Sequence, residues 1–142
     1  MSTILIATIL IGLAVTVGES GISARLAALD GEYKRVSLAL AESCANLALL
    51  NITQDYNYAG NESGISVGTD AQGRAEICTI GPITFPNGTG GIQNTVIIMA
   101  SAQYPSENGA NSTLTISATV RNPLFTTSPP ASITINSWRE TP

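Results

Sequence analysis

The sequence predicts an α+β fold, in which one long N-terminal helix carries a small antiparallel β-sheet packed on its C-terminal half. Three observations predict this fold. No charged side chain occurs from Met1 to Gly18. Apolar residues then recur every three or four positions from Ile22 to Leu50, which is the spacing of one helix face. Beyond Asn51, short apolar runs alternate with Gly, Pro and Asn, which is typical of strands joined by turns.

The composition sets limits on function. The chain has 142 residues, enough for one domain of ordinary size. Charged residues make up 11%, the net charge is -4, and the six Lys and Arg residues are scattered, so a nucleic-acid partner is not expected. Histidine, the commonest general base and metal ligand, is absent from the sequence. We therefore expect a protein that is not an enzyme and needs no cofactor or metal.

The first part of the helix, 1–18, is apolar on every side. Such a segment must be buried all round, in lipid or in other protein. At ~1.5 Å per residue it spans roughly 27 Å, about the thickness of a bilayer core. It is predicted to be a membrane anchor or the core of a filament, packed through Ile4, Leu5, Ile6, Ile9, Leu10, Leu13 and Val17.

Basic residues are missing ahead of this segment, and the first one is Arg25. A complete signal peptide has a positive region before its apolar core, and an ordinary anchor follows the positive-inside rule. The chain shows neither pattern. A protein whose basic leader peptide has been removed would have this sequence.

The second part of the helix, 22–50, is amphipathic. One stripe close to heptad spacing is predicted to face a folded domain. Its members are Ile22, Leu26, Leu29, Tyr33, Val36, Leu40, Cys44, Leu47 and Leu50. Asp30 and Lys34 form an i, i+4 pair off the stripe. We therefore divide the chain into a long helix, 1–50, and a β-rich head, 51–142.

The head is predicted to contain an antiparallel sheet of about four strands packed on the helix. The best alternation places Leu114, Ile116, Ala118 and Val120 inward. Near the end of the chain, Ile133 and Ile135 are also predicted to point inward, and Trp138 to pack against the sheet. The segment from Tyr56 to Gly64 is predicted to be loop. The predicted runs are Ile65–Val67, Ala75–Ile80, Ile92–Ala102, Ser112–Val120 and Ser132–Trp138.

Two cysteines, Cys44 and Cys78, complete the structural predictions. An even count behind an apolar N-terminus favours an exported protein with one disulfide, which would hold the helix to the first part of the sheet. Two buried free thiols are the alternative. The spacing fits neither a redox motif nor a zinc knuckle.

Two weaker signals concern modification and metal binding. Four Asn-x-Ser/Thr sequences are candidate glycosylation sites, at Asn51, Asn61, Asn87 and Asn111. Such sequences also arise by chance in a chain rich in Asn, Ser and Thr. Asp70 and Glu76 are a weak candidate calcium pair, because the spacing of a calcium-binding loop is absent.

The order of these features resembles the type IV pilins and pseudopilins. Leu38–Leu50 is similar to the Ala- and Glu-containing helix segment of PilX-like minor pilins. Asn57–Glu62, Cys78–Ile80 and Ile135–Glu140 are similar to segments of pilin-like proteins from small symbiotic bacteria with reduced genomes. The resemblance covers the whole chain in layout, and its individual motifs are short.

The resemblance implies a structural subunit of an extracellular filament on the cell surface, serving adhesion, twitching motility or DNA uptake. Met1 would be the processed and methylated N-terminus. Before assembly the chain would be anchored in the inner membrane. Its partners would be further copies joined through the N-terminal helix, other pilins, the assembly machinery and a host cell surface.

One position departs from the family pattern. Most type IV pilins carry Glu at the fifth mature position, whereas this chain has Leu5. A buried N-terminal amine without a carboxylate is costly, so Met1 needs another partner. Two alternatives therefore stay open, a low-copy minor pilin or pseudopilin that primes or caps a filament, and a single-pass anchored protein with an extracellular binding domain.

Overall fold

A computed structural model describes residues 2–86, 88, 93–105, 109–121 and 132–141, with side chains described from Ala24 onward. Within these residues the chain forms one long N-terminal helix and one five-stranded antiparallel sheet, which confirms the predicted α+β class. The elements are α1 (Ser2–Gln54), β1 (Gly60–Thr69), β2 (Ala75–Pro82), β3 (Gln93–Tyr104), β4 (Ala110–Arg121) and β5 (Ile133–Thr141).

The strands pair in chain order, β1-β2-β3-β4-β5, each antiparallel to the next. This arrangement leaves β1 and β5 as the two edges of the sheet. The chain separates into two compact units, Met1–Glu32 and Tyr33–Pro142. The second part of α1 therefore belongs to the same unit as the sheet.

The core lies between the second part of α1 and one face of the sheet. The helix contributes Ser37, Leu40, Ala41, Cys44, Ala45, Ala48 and Ile52, all buried. Their spacing of three or four residues is that of one helix face. The sheet contributes mainly β-branched and leucine side chains, namely Ile80, Val96, Ile98, Leu114, Ile116 and Val120.

The predicted helix stripe is wrong in part. Leu40 and Cys44 are buried, but Leu26, Leu29 and Leu50 are 61%, 43% and 51% exposed. The buried face is centred on smaller residues beside the stripe, above all Ala41 and Ala45. Small side chains let the helix backbone approach the sheet closely, whereas leucines along the centre would hold it away. The larger side chains therefore lie along the flank of the helix.

The predicted loop from Tyr56 to Gly64 is also wrong in part, because β1 already begins at Gly60. Gly60, Asn61 and Gly64 have positive φ, and the register with β2 shifts between Glu62 and Ile65. Such residues in a strand mark β-bulges. The sequence signals that normally indicate a loop here produce an irregular edge strand.

The alternation predicted for β4 is confirmed, since Leu114, Ile116, Ala118 and Val120 are all fully buried. In β5, Ile133 is half-buried against the core. Ile135 pairs with the core residue Ala118, so its predicted inward direction is confirmed, although its side chain is 47% exposed. Trp138 is 41% exposed, so its predicted packing against the sheet is wrong in part. Strands lie about 4.8 Å apart and a helix is about 10 Å wide, so α1 covers the middle of the sheet and not its edge.

Candidate functional site

A disulfide joins Cys44 of α1 to Cys78 of β2, as the sequence predicts. The two side chains are 0% and 2% exposed, and 34 residues separate them in the chain. The bond therefore fixes the helix to the sheet from within the core. A disulfide of this kind points to an oxidising, extracellular environment.

Lys34 forms a second connection between α1 and the sheet. Its ammonium group donates to the carbonyl oxygen of Asn111 at 2.7 Å and lies 3.2 Å from a carboxylate oxygen of Glu140. The ion pair predicted with Asp30 is replaced by this longer-range contact. Lys34 thus links the helix to the start of β4 and to the end of β5.

Two polar contacts lie inside the apolar core. The hydroxyl groups of Ser37 and Ser112 are 2.7 Å apart, and Ser37 also donates to the carbonyl oxygen of Lys34 at 2.9 Å. The side-chain amide of Asn94 donates to the hydroxyl of Tyr56. Buried polar groups need such partners, so these contacts fix where the helix end and the strands meet.

Asp70 organises the turn between β1 and β2. One carboxylate oxygen accepts hydrogen bonds from the backbone N–H groups of Gln72 and Arg74, at 2.9 and 2.8 Å. The other accepts from Nε of Arg74 at 2.6 Å and from the hydroxyl of Tyr104 at 3.3 Å. Desolvation alone would raise the pKa of Asp70, but these Arg74 and Gln72 bonds together lower it.

These contacts argue against the weak calcium prediction. Both carboxylate oxygens of Asp70 already serve the turn. Among the residues that the structure describes, no group of three or more His, Cys, Asp or Glu side chains is placed to hold a metal ion. Asp70 therefore acts as a structural residue of the turn.

The candidate glycosylation sites lie in different settings. Asn61 in β1 and Asn111 in β4 are exposed, and Asn51 is half-buried near the end of α1. Asn61 also has a φ of 61°, in the left-handed region, and lies on the edge strand of the sheet. Asn87 lies outside the described residues.

The N-terminal predictions fall largely outside the described part of the chain. Met1 lies outside it altogether. The predicted packing residues Ile4, Leu5, Ile6, Ile9, Leu10, Leu13 and Val17 belong to α1, and the described structure covers their backbone but not their side chains.

Where side chains are described, Ala24–Gln54 is long and apolar enough to cross a membrane by length and composition, with a mean hydropathy of 1.4. Of its most apolar window, 39% is buried inside the protein. A helix that packs in a protein core meets the same criteria. The apolar N-terminal part of α1, from which charge is absent up to Gly18, is the better candidate for membrane anchoring.

The outer face of the sheet, opposite α1, carries two adjoining grooves with volumes of about 260 and 250 Å³. They share Thr79 and Ser101. They lie where β2 and β3 pair through three residue pairs, Cys78 to Ala102 being the first. Their linings are neutral, with hydroxyl and amide groups beside exposed Ile77 and Met99. Without an ionisable group in either lining, these grooves offer no acid–base chemistry.

Ile135 and Trp138 form an exposed surface that strict alternation along β5 does not predict. They pair with Ala118 and Ile116, two core residues of β4, so both point to the helix side of the sheet. Residues three apart normally point to opposite faces. A register shift opposite Ser117 and Ala118 brings both to the same face. We call this exposed pair the β5 shelf.

The chain matches no known protein-family model, no curated protein and no solved structure. Its apolar N-terminal helix, antiparallel sheet and disulfide are compatible with a pilin-like fold.

Proposed function

We propose that this protein is a structural subunit of a type IV pilus-like extracellular filament. In this role it is held in the membrane by its N-terminal helix before assembly and leaves the membrane as it joins the filament. The energy for that step comes from separate assembly machinery. The filament would serve adhesion, twitching motility or DNA uptake.

The observation that carries the proposal is the continuity of α1 over two environments. The helix runs from Ser2 to Gln54 without a break. Side chains from Ala24 to Glu32 are exposed, and burial against the sheet begins beyond them, at Ser37. The charge-free segment at its start needs a surrounding of lipid or of other helices. A subunit that moves from membrane to filament meets that need in both states.

The covalent and ionic ties support the same role. Cys44–Cys78 and Lys34–Glu140 hold the sheet to the helix at separate points. A subunit of a filament has to keep the sheet fixed on the helix that joins it to its neighbours. The disulfide also suits assembly outside the cell.

Electron microscopy of material sheared from the cell surface, with mass spectrometry of the fibres, tests this proposal. We expect fibres in which this chain is the main component. A variant carrying Leu10→Asp should not be found in fibres, because a carboxylate in an apolar core is strongly disfavoured. Recovery of the native chain only from detergent-extracted membrane, without fibres, would contradict the proposal.

A low-copy minor pilin that primes or caps the filament is the second candidate. Leu5, in place of the usual Glu, favours it. The same mass spectrometry discriminates the two, because a priming or capping subunit would be a trace component at fibre ends. An anchored protein with an extracellular binding domain is the third candidate, favoured by the neutral grooves of the outer face. In that case no fibres would contain the chain.

A further inference from the structure

The described lining of the two adjoining grooves on the outer face is polar and carries no charge. Thr79 and Ser101 belong to both grooves, Gln103 and Asn111 add side-chain amides to the first, and Thr113 adds a hydroxyl to the second. Hydroxyl and amide groups each donate and accept hydrogen bonds. A charged ligand meets no opposite charge in this lining, and a purely apolar ligand would cover these groups without pairing them. The lining therefore suits a neutral ligand that carries both donors and acceptors.

The polar groups occur at successive levels along the grooves. Gln103 pairs with Asn111, and Ser101 pairs with Thr113 on one side and with Thr79 on the other. Directly paired residues point to the same face of a sheet, and residues two apart in a strand are separated by roughly 6.8 Å. The two amides therefore lie one such step from the row of three hydroxyls. A ligand whose polar groups repeat along its length reaches both levels.

The second groove adds an apolar surface to these polar groups. Met99 is 47% exposed there and shares the lining with Gly81 and Pro82. A Cβ atom added at Gly81 would lie 3.4 Å from the Cβ of Met99, so the glycine keeps this groove open. Sugar rings have apolar C–H faces and hydroxyl groups at their edges. They therefore fit a groove that offers a methionine side chain beside hydroxyl and amide groups.

An extended peptide fits these grooves less well. Peptides commonly bind by adding a strand to the free edge of a sheet. The grooves instead lie on β2, β3 and β4, which are interior strands with a neighbour on each side. The free edges belong to β1 and β5, and no described residue of these two strands lines either groove. A ligand of the outer face therefore bonds to side chains and not to a strand edge.

We propose that the two grooves together bind a short neutral oligosaccharide. Its hydroxyl groups form hydrogen bonds with the hydroxyl and amide side chains of the lining, and its ring faces pack against Met99. From Ile77 to Gly81 the site extends over roughly 13 Å of strand, which gives room for more than one sugar ring. In a filament this site would attach the fibre to a surface that carries sugars. The inference deepens the adhesion role proposed above and rests on it for its purpose, whereas the binding itself is a property of the single chain.

Methyl NMR of the full chain tests the binding. The sequence has two methionines, so methyl-labelled methionine gives one reporter in the second groove, Met99, and one at the N-terminus, Met1. The chain is kept in a detergent without a sugar headgroup and is titrated with neutral tetrasaccharides of glucose, mannose or galactose. We expect at least one of them to shift the Met99 signal saturably and to leave the Met1 signal unchanged. The matching uronic-acid tetrasaccharide, with a carboxylate on each ring, should bind at least tenfold more weakly.

Two double variants separate the grooves from the rest of the outer face. Thr79→Val with Ser101→Ala removes both shared hydroxyls and should weaken binding at least tenfold. Thr95→Val with Thr119→Val changes a directly paired couple that lines neither groove and should alter binding less than twofold. Equal thermal unfolding midpoints of the two full-length variants in the same detergent would show that both are folded.

The outcomes separate the two proposals. A Met99 signal that none of the three sugars shifts would overturn the inference, and so would equal weakening of binding in the two double variants. A neutral tetrapeptide of glycine and serine that shifts Met99 more than the sugars do would identify a peptide site and overturn it as well. Fibres formed by a chain that binds no sugar would leave the filament function standing. Sugar binding by a chain that never forms fibres would support the groove as a sugar site and contradict the filament.

Discussion

The hydroxyl of Ser37 in α1 lies 2.7 Å from the hydroxyl of Ser112 in β4, and both side chains are buried. Ser37 donates to the carbonyl oxygen of Lys34, which leaves its own oxygen free to accept from Ser112. The pair therefore forms a short chain of hydrogen bonds from the helix backbone to the sheet. It lies on the face of α1 that contacts the sheet and sets the rotation of the helix.

Ser112→Ala should lower the free energy of unfolding by about 1 kcal/mol, because a buried hydrogen bond is lost and the Ser37 oxygen keeps no donor from the sheet. Chemical denaturation of the full chain in detergent measures the change. Ser117→Ala is the control, since Ser117 lies on the outer face of the same strand. Its effect should stay within about 0.5 kcal/mol. Equal effects of the two changes would show that the buried pair adds no stability.

Ala48→Leu should destabilise the protein by about 1–3 kcal/mol, because the larger side chain has no room where α1 contacts the sheet. Asn46→Leu, two residues earlier on an exposed face, should have little effect. The thermal unfolding midpoints of the two variants provide the comparison. The opposite order would mean that α1 packs through its leucine flank, as the sequence pattern predicts.

The face of α1 that packs against the sheet is the feature that the sequence predicts least well. The fold class, the helix, the disulfide and the alternation in β4 all follow from residue patterns, because long periodic segments impose their geometry. The buried face of α1 does not, because hydrophobicity ranks Leu47 and Leu50 above Ala41 and Ala45, although only the two alanines are fully buried. What decides the face is the closest approach of two backbones, which favours small residues and depends on the partner surface.

The β5 shelf could not be predicted from the sequence, for a related reason. Strict alternation assigns Ile135 and Trp138 to opposite faces, and the register shift that unites them depends on pairing with β4. The exposure of the two side chains depends on the width of the helix relative to the sheet. Neither the register shift nor this exposure can be predicted from the sequence of β5 alone.

Removing the disulfide with Cys44→Ala and Cys78→Ala together should lower the free energy of unfolding by about 3–4 kcal/mol, from the closure of a 34-residue loop. Urea denaturation of the full chain in detergent checks this value. Adding a reductant to the native chain should shift its midpoint in the same direction. The double variant should not respond to the reductant, and a response would mean that the reagent acts elsewhere.

Asp70→Asn should remove part of the acid sensitivity of the protein. The pKa of Asp70 is lowered in the folded state, so the unfolded chain, with a pKa near 3.9, takes up a proton at higher pH. The stabilisation is therefore complete above about pH 4 and is lost as the pH falls through the folded pKa. Unfolding midpoints measured from pH 6 to pH 2 should show the native chain and the variant converging at low pH. Equal pH profiles of the native chain and the variant would mean that Asp70 adds no acid sensitivity.

The position of the disulfide also has a mechanical consequence. A pull applied to the two chain ends passes from α1 through the sulfur atoms into β2, so residues 45–77 carry none of the load. The rest of α1 beyond Cys44, the bulged edge strand and the Asp70 turn lie inside this unloaded loop. At ~3.4 Å per residue, the fully stretched chain should be shorter by roughly 110 Å with the bond intact than after reduction. Single-molecule stretching of the full chain with and without reductant would measure that difference, and equal lengths would mean that the bond does not carry the force.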